Sequence, residues 1–430
     1  MEALSETLQA ALDQVDPDEV IQLEKDLVSI PSYTTEEHEL VEYIADFYND
    51  LGIEVELQRV EFPGNKKSAN AHSFNPIGRI RGTGDGPSLM FNEHMDHGPI
   101  EGRIAQDFSN WQREPYVPVV EDGYLYGKGC QDEKGGICAF LSAARAIKRA
   151  GIQPKGDLVF APVCGHKTHS IGTKAMIDAG ILTDMAINSE NSGNGIVPMH
   201  VGVMTARVHV NAAPVHPSRR KRHPQFRNEP TTIERSMQFI QALGRDCVPH
   251  KPGESWITYQ PHPYLTDFPI HRIDSIEAYG YQHQAIYMMF RTLPGMTEAS
   301  LKQDLERVIA RIQEDDPKFK GRAEVQLWGP PLDTPVDADI VQSLAKFHEH
   351  VTQGPADVGP DGRYGSYGDG AVLSAAGITT VIYGPGGGSS DMEHELKQLM
   401  GEAPPDERIP IADLVNCAKV MTLATVDLCC

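Results

Sequence analysis

Along residues 1–200, short apolar runs alternate with stretches whose apolar positions recur every three or four residues. LVEYIADFYNDL reads as a helix, PSLMFNEH as a strand, GGICAFLSAARAIKRAG as a helix, DLVFAPV as a strand, TKAMIDAG as a helix and DMAINSE as a strand. This alternation predicts an α/β sheet with helices on its faces and chemistry at the strand ends. From Gly202 the texture changes. VMTARVHVNA alternates, TIERSMQFIQALGR is helical, IEAYGYQHQAIYMMFRTL is extended, SLKQDLERVIARIQEDD is an amphipathic helix and AEVQLW follows. That β-helix-β-β-helix-β order predicts helices on one antiparallel sheet. After PPLDTPVD the α/β texture returns through SLAKFHEHV, GITTVIYGP and ADLVNCAKVMTLATV. The expected organisation is therefore a larger domain, residues 1–201 and 329–430, interrupted by a smaller α+β sandwich, residues 202–328.

A length of 430 residues agrees with two domains, since single cores stop growing before that size. The formal net charge of −22 argues against nucleic acid or an anionic membrane as partner, because phosphate binding needs a basic face. One basic cluster, SRRKRHPQFR at 218–227, departs from the acidic trend and reads first as a solvated loop. No apolar run reaches about 18 residues, and the first thirty residues are acidic and helical in pattern without a basic leader, so a cytoplasmic protein is expected. Seven scattered cysteines without CxxC spacing predict neither a disulfide framework nor a zinc ribbon; Cys130, Cys138 and Cys164 read as small apolar packing groups.

Three strand ends gather candidate chemistry. SLMFNEHMDHGP places His94 and Asp96 just past a strand, where the imidazole faces a metal and the carboxylate holds its other ring nitrogen. Asp132 in GKGCQDEKGG lies in a glycine-bounded turn that opens a helix, and Glu190 ends the strand DMAINSE. His94, Asp132 and Glu190 make a divalent-metal set. A fourth stretch, APVCGHKTHSIGTKAMI, places Gly165, His166 and Lys167 between a buried strand and a helix, where enzymes commonly hold reactive groups.

With these residues in view the chain resembles the metal-dependent aminoacylase, carboxypeptidase G and acetylornithine deacetylase family of exopeptidases. The resemblance covers nearly the whole chain: IPS at Ile30–Ser32, HMD at His94–Asp96, Trp111–Pro115, DGYLYGKGCQDEKGG at Asp122–Gly136, IGTKAMI, VHPS at Val215–Ser218, FRTLPGMT at Phe290–Thr297, YGPGG at Tyr383–Gly387 and PPDERIPIADLV at Pro404–Val415. It implies a zinc-exopeptidase-like α/β catalytic domain, an inserted lid that dimerises, and two metals bridged by the aspartate that falls on Asp132. His94 and Glu190 match two further ligands. The family's Glu-Glu pair, general base and second-metal ligand, falls on His166 and Lys167, and its late histidine falls on Ala403.

That departure predicts a single-metal hydrolase of a C–N bond, using one divalent ion, Mn or Zn first. Lys167 then supplies part of the missing ion's field, and His166 takes or returns a proton. His166, His169 or His394 rebuilding a second site is the alternative, as is a Lys167 salt bridge that merely fills the space. Catalytic parts are thus expected for His166, Lys167 and Asp96, and the resemblance adds His216, which matches the lid histidine that reaches a neighbouring subunit's site. Arg291 matches the arginine that grips a substrate carboxylate, and Tyr281 and His283, with Tyr279 and Tyr287 beside them, replace the family's usual residues there. The expected partner is a small carboxylate-bearing substrate, in a homodimer or higher homo-oligomer. Its leading form is the aromatic amine 5-nitroanthranilate, converted to 5-nitrosalicylate; an N-acyl amino acid or dipeptide is the alternative, and a non-catalytic relative acting as a binding protein is the third reading.

Overall fold

The computed structural model describes residues 4–62, 70–97, 112–211, 229–246, 270–278, 281–292, 294–359, 368–386 and 406–430. The chain divides into two compact units, one of Met1–Met199 together with Leu332–Arg363 and Gly368–Cys430, the other built on His200–Pro331.

The larger unit is built on a six-stranded sheet in the spatial order Glu54–Glu61, His72–Ile80, Leu158–Val163, Leu89–His94, Met185–Asn188 and Thr379–Ile382. The last four strands run parallel, and the first two close one edge antiparallel. Both faces are covered, which explains why LVFAPV and LMFNEH read as unbroken buried runs. Leu89, Phe91, Leu158 and Phe160 point to the face packed by helices Pro17–Ser29, Gly135–Arg149 and Ile411–Cys429; Met90, Val159 and Ala161 point to the other, with Met176 and Leu373. Phe91 and Phe160 stack across adjacent strands with ring centres 5.5 Å apart.

The parallel strands end together, so the loops after His94, Val163 and Asn188 share one rim. Two glycines hold that rim in register. A Cβ on Gly384 would lie 2.3 Å from the Glu190 carbonyl oxygen, and one on Gly136 would lie 2.3 Å from that of Ser189. Glu190 is thus fixed between a helix start and a strand exit that approach closer than any side chain allows.

The smaller unit is a four-stranded antiparallel sheet in the order Ile270–Ala278, Tyr281–Thr292, Gly202–Asn211 and Lys320–Gly329. Helices Thr232–Asp246 and Glu298–Asp315 bury Phe239, Leu243, Leu301 and Leu305 against Met204, Val208, Val210 and Ile286 of the sheet. The intervening residues Thr205, Arg207 and His209 take the opposite face, the alternation that VMTARVHVNA announces. An α/β unit interrupted by an α+β sandwich is the fold expected from the patterning. Strands Glu54–Glu61 and His72–Ile80 are the elements that patterning does not mark out.

Candidate metal centre and active site

His94 ends its strand buried, and its Nδ1 lies 2.8 Å from the backbone oxygen of Asp96. A carbonyl oxygen only accepts, so Nδ1 carries the proton and Nε2 is left as the ligating nitrogen. The expectation that the Asp96 carboxylate performs this task is corrected by the structure. That carboxylate instead accepts the backbone N–H groups of His166 (2.8 Å) and Lys167 (3.2 Å) and the Thr34 hydroxyl (2.8 Å). Asp96 therefore shapes the turn that presents His166 and Lys167.

The turn Cys130–Lys134 delivers Asp132 to within 3.3 Å of His94 Nε2 through Oδ1. The same oxygen lies 3.2 Å from Lys167 Nζ, and Oδ2 lies 3.4 Å from it. Packing around Asp132 opposes its ionisation, but Lys167 and His94 outweigh it and hold the carboxyl well below the usual carboxylate range. Burial likewise works against the Lys167 ammonium, and Asp132, Glu190 and Asp96 reverse the effect, raising its pKa above the ordinary lysine value. Asp132 thus spans an imidazole on one side and an ammonium on the other.

His166 stacks on His94, ring centres 4.2 Å apart, and its Nδ1 is 3.2 Å from Asp369 Oδ1. Burial lowers its basicity, but the charge and hydrogen bond of Asp369 leave its pKa above the ordinary histidine value. His169 closes the turn through its backbone N–H to the His166 carbonyl.

Sequence reasoning missed four groups here. Glu407, inside PPDERIPIADLV, accepts the N–H groups of Gly129, Gln131 and Asp132 at 3.1 Å each and the Lys128 ammonium at 2.7 Å, fixing the turn that carries Asp132. Asp369 begins the helix Asp369–Ala375, and only its DG start hinted at a placed carboxylate. Glu93 and Glu133 flank the expected ligands, and a neighbouring acid is the signal that could have drawn attention to each. Burial, then the nearby charge of Glu190, pushes both acids well above the ordinary range.

A metal fits this arrangement. His94 Nε2 is buried without a hydrogen-bond partner and faces a carboxylate oxygen at 3.3 Å, two lone-pair-bearing atoms that a cation between them would satisfy. Around it stand the carboxyl groups of Glu93, Asp132, Glu133, Glu190 and Asp369 against the two basic groups Lys167 and His166, an acid excess that holds Glu93 and Glu133 protonated unless a cation relieves it.

Of the remaining sequence candidates, Arg291 and His283 lie in the smaller unit, on the strand Tyr281–Thr292. His283 is engaged by Asn211 Oδ1 (2.7 Å) and His209 (2.9 Å), and burial lowers the pKa of Arg291. Tyr281 pairs with Ala278 across the sheet, its side chain outside the described residues. His216, His394, Ala403 and the 218–227 cluster also fall outside the described residues.

The sequence profile of Peptidase family M20/M25/M40 matches residues 90–426. The chain belongs to this family. As a member of the M20 group it is a metal-dependent hydrolase of amide and related C–N bonds, and none of its described helices is long and apolar enough to cross a membrane. It is 25% identical to an N-formyl-4-amino-5-aminomethyl-2-methylpyrimidine deformylase of Bacillus subtilis, across 94% of this chain and 93% of that one. The aminopeptidase PepT of Bacillus cereus shares the fold with a TM-score of 0.70 at 17% identity, covering 96% of this chain and 99% of the other. So does YXEP of Bacillus subtilis, a dinuclear metal-binding M20 peptidase, with a TM-score of 0.64 at 14% identity and coverage of 96% and 98%.

Proposed function

We propose that this M20 protein hydrolyses a C–N bond in a small carboxylate-bearing substrate with one divalent ion, Mn or Zn, per chain. The observation behind the reading is the Asp132 bridge: the aspartate that the family resemblance gives to two metals contacts His94 on one side and Lys167 on the other. An ammonium fixed there supplies positive field where a second ion would, and is not compatible with that ion beside it.

His94, Asp132 and Glu190 would hold the ion. Bound there, it would supply Lewis acidity and bring the pKa of water toward neutrality. Lys167 offers its charge to developing negative charge on the substrate. His166, its basicity raised by Asp369, donates to the departing nitrogen as a general acid when protonated and recovers a proton afterwards. Asp96 and Thr34 keep both side chains at the mouth of the site.

Two cationic groups in place of two carboxylates favour an anionic substrate. The leading form is 5-nitroanthranilate, where water replaces the ring amine and 5-nitrosalicylate and ammonia leave. A second reading, hydrolysis of a small N-acyl or N-formyl amine, draws on the deformylase similarity across nearly the full chain. The proposal extends to a cytoplasmic homodimer in which His216 serves the neighbouring site, with Arg291, Tyr281 and His283 on the substrate side.

The test is turnover by the Mn- and Zn-loaded protein of 5-nitroanthranilate, followed as ammonia release, beside N-formyl and N-acetyl amines and amino acids. Ammonia from the aryl amine supports the first form, and formate or acetate release supports the second. A loaded protein inert to every member of the panel overturns the reading.

A further inference from the structure

The mechanism above gives Glu93 no part, yet this side chain is fully buried directly before His94, inside the carboxylate cluster. Its Oε1 accepts the His94 N–H at 2.9 Å, and its Oε2 accepts the Asn188 amide at 3.1 Å. Each oxygen keeps a second lone pair. The acidic groups Glu190, Asp369 and Asp132 all act on it. A carboxylate so placed needs a proton or a cation.

Geometry favours the cation. Glu93, His94 and Glu190 each place one donor atom within 4.8 Å of the other two, and among the described residues this is the one cluster of three such groups. Three donors within 4.8 Å of one another lie at most about 2.8 Å from a common centre, so movements of well under 1 Å bring all three to bonds of about 2.0–2.2 Å on one ion. Asp132, by contrast, divides its oxygens between His94 and Lys167.

We propose that Glu93 is a protein ligand of the metal, joining His94 and Glu190, with Asp132 as the donor shared with Lys167. The proposal rests on the one-metal reading and deepens it. Three carboxylates and one imidazole form an oxygen-rich, net negative set, which favours Mn(II) over the softer preference of a histidine-rich zinc site.

The experiment measures Mn(II) affinity by EPR of the free ion, and the visible absorption of the Co(II)-loaded protein, for the parent, Glu93→Gln, Glu93→Asp and Glu190→Gln. The expected result is one ion in the parent, at least 100-fold weaker Mn(II) binding in Glu93→Gln and Glu190→Gln, and a displaced Co(II) band in Glu93→Gln and Glu93→Asp. Weaker binding with an unchanged Co(II) band in both Glu93 variants means that Glu93 only positions His94 and Asn188, and overturns the proposal. So does parent-like affinity. Should Glu93→Gln fail to fold by circular dichroism, the Co(II) band of the charge-preserving Glu93→Asp decides. A parent that binds no ion overturns the one-metal reading itself, an outcome distinct from failure at Glu93 alone.

Discussion

Lys167 is the residue on which this site turns. Its ammonium, about one-third exposed, meets both oxygens of Asp132. Replacing it with alanine removes the cation that the proposed mechanism sets against developing negative charge, so kcat/KM should fall by about 10²–10³-fold, the range lost with one charge-stabilising group. Steady-state kinetics of the Mn-loaded variant check this. If the ammonium stands where a second ion would, restoring both family ligands, Lys167→Glu with Ala403→His, should raise bound Mn from one to two ions per chain in equilibrium dialysis. An unchanged count of one would show that the second position is closed for another reason. That His94, Asp132 and Glu190 come together was legible because they follow strand ends, and the exchange at His166 and Lys167 because it breaks a family pattern. Glu93 was not. In a strand, neighbours point to opposite faces, so an acid next to a ligand histidine reads as facing away, and only the strand's end lets both reach one point. The role of Asp96 was misread for a similar reason: sequence cannot say whether a residue answers with its carboxylate or its backbone carbonyl.

At the scale of elements, two turns carry the candidate site's side chains, each held by an acid from a distant part of the chain. Glu407 collects three N–H groups and the Lys128 ammonium beneath the Cys130–Lys134 turn. Glu407→Ala should cost about 3 kcal/mol, since it strands a nearly buried lysine, and weaken metal binding about 10- to 100-fold; denaturant melts and Mn titration report each. Glu37 performs the matching task under the 165–167 turn, accepting the Gly165 N–H at 3.3 Å. Burial, then the charge of Asp96, raises its acid to about 8. In the unfolded chain this carboxyl ionises near its ordinary value of 4.5, so between 4.5 and about 8 the folded state binds a proton that the unfolded state has released. Its contribution is therefore fully present below about 4.5 and is lost as pH rises to 8, with a slope on the order of 1.4 kcal/mol per pH unit. Glu37→Gln, which keeps the acceptor and cannot ionise, should match the parent's melting temperature near pH 4.5 and exceed it increasingly toward pH 8. Equal melting curves at both ends would exclude this. The helices and the buried parallel strands were legible from periodicity. Strand Glu54–Glu61 was not, because its outer position leaves EVELQRVE mostly exposed, and a solvent-facing edge has no apolar stripe to display.

The whole molecule joins two units with separate cores, the larger centred on a sheet covered on both faces and the smaller on helices over one face of its own sheet. The carboxylate cluster of Glu93, Asp132, Glu133 and Glu190 belongs to the larger unit alone. An ion that binds there and not to the unfolded chain stabilises that unit by mass action, about 2.7 kcal/mol at a free concentration one hundred times Kd. The larger unit has about 290 residues, and at about 2.1 cal/mol/K of unfolding entropy per residue each kcal/mol moves its melting temperature by roughly 1.6 °C, so stripping the metal should lower its transition by about 4 °C. The smaller unit, with its own buried set around Phe239 and Leu305, has no share in that loss. Calorimetry of the protein with excess Mn and with chelator should therefore show one transition that moves and one that stays. A single transition that moves as a whole would mean that the units unfold together, and identical scans in Mn and in chelator would mean that the carboxylates at His94 are kept neutral by protons rather than by an ion.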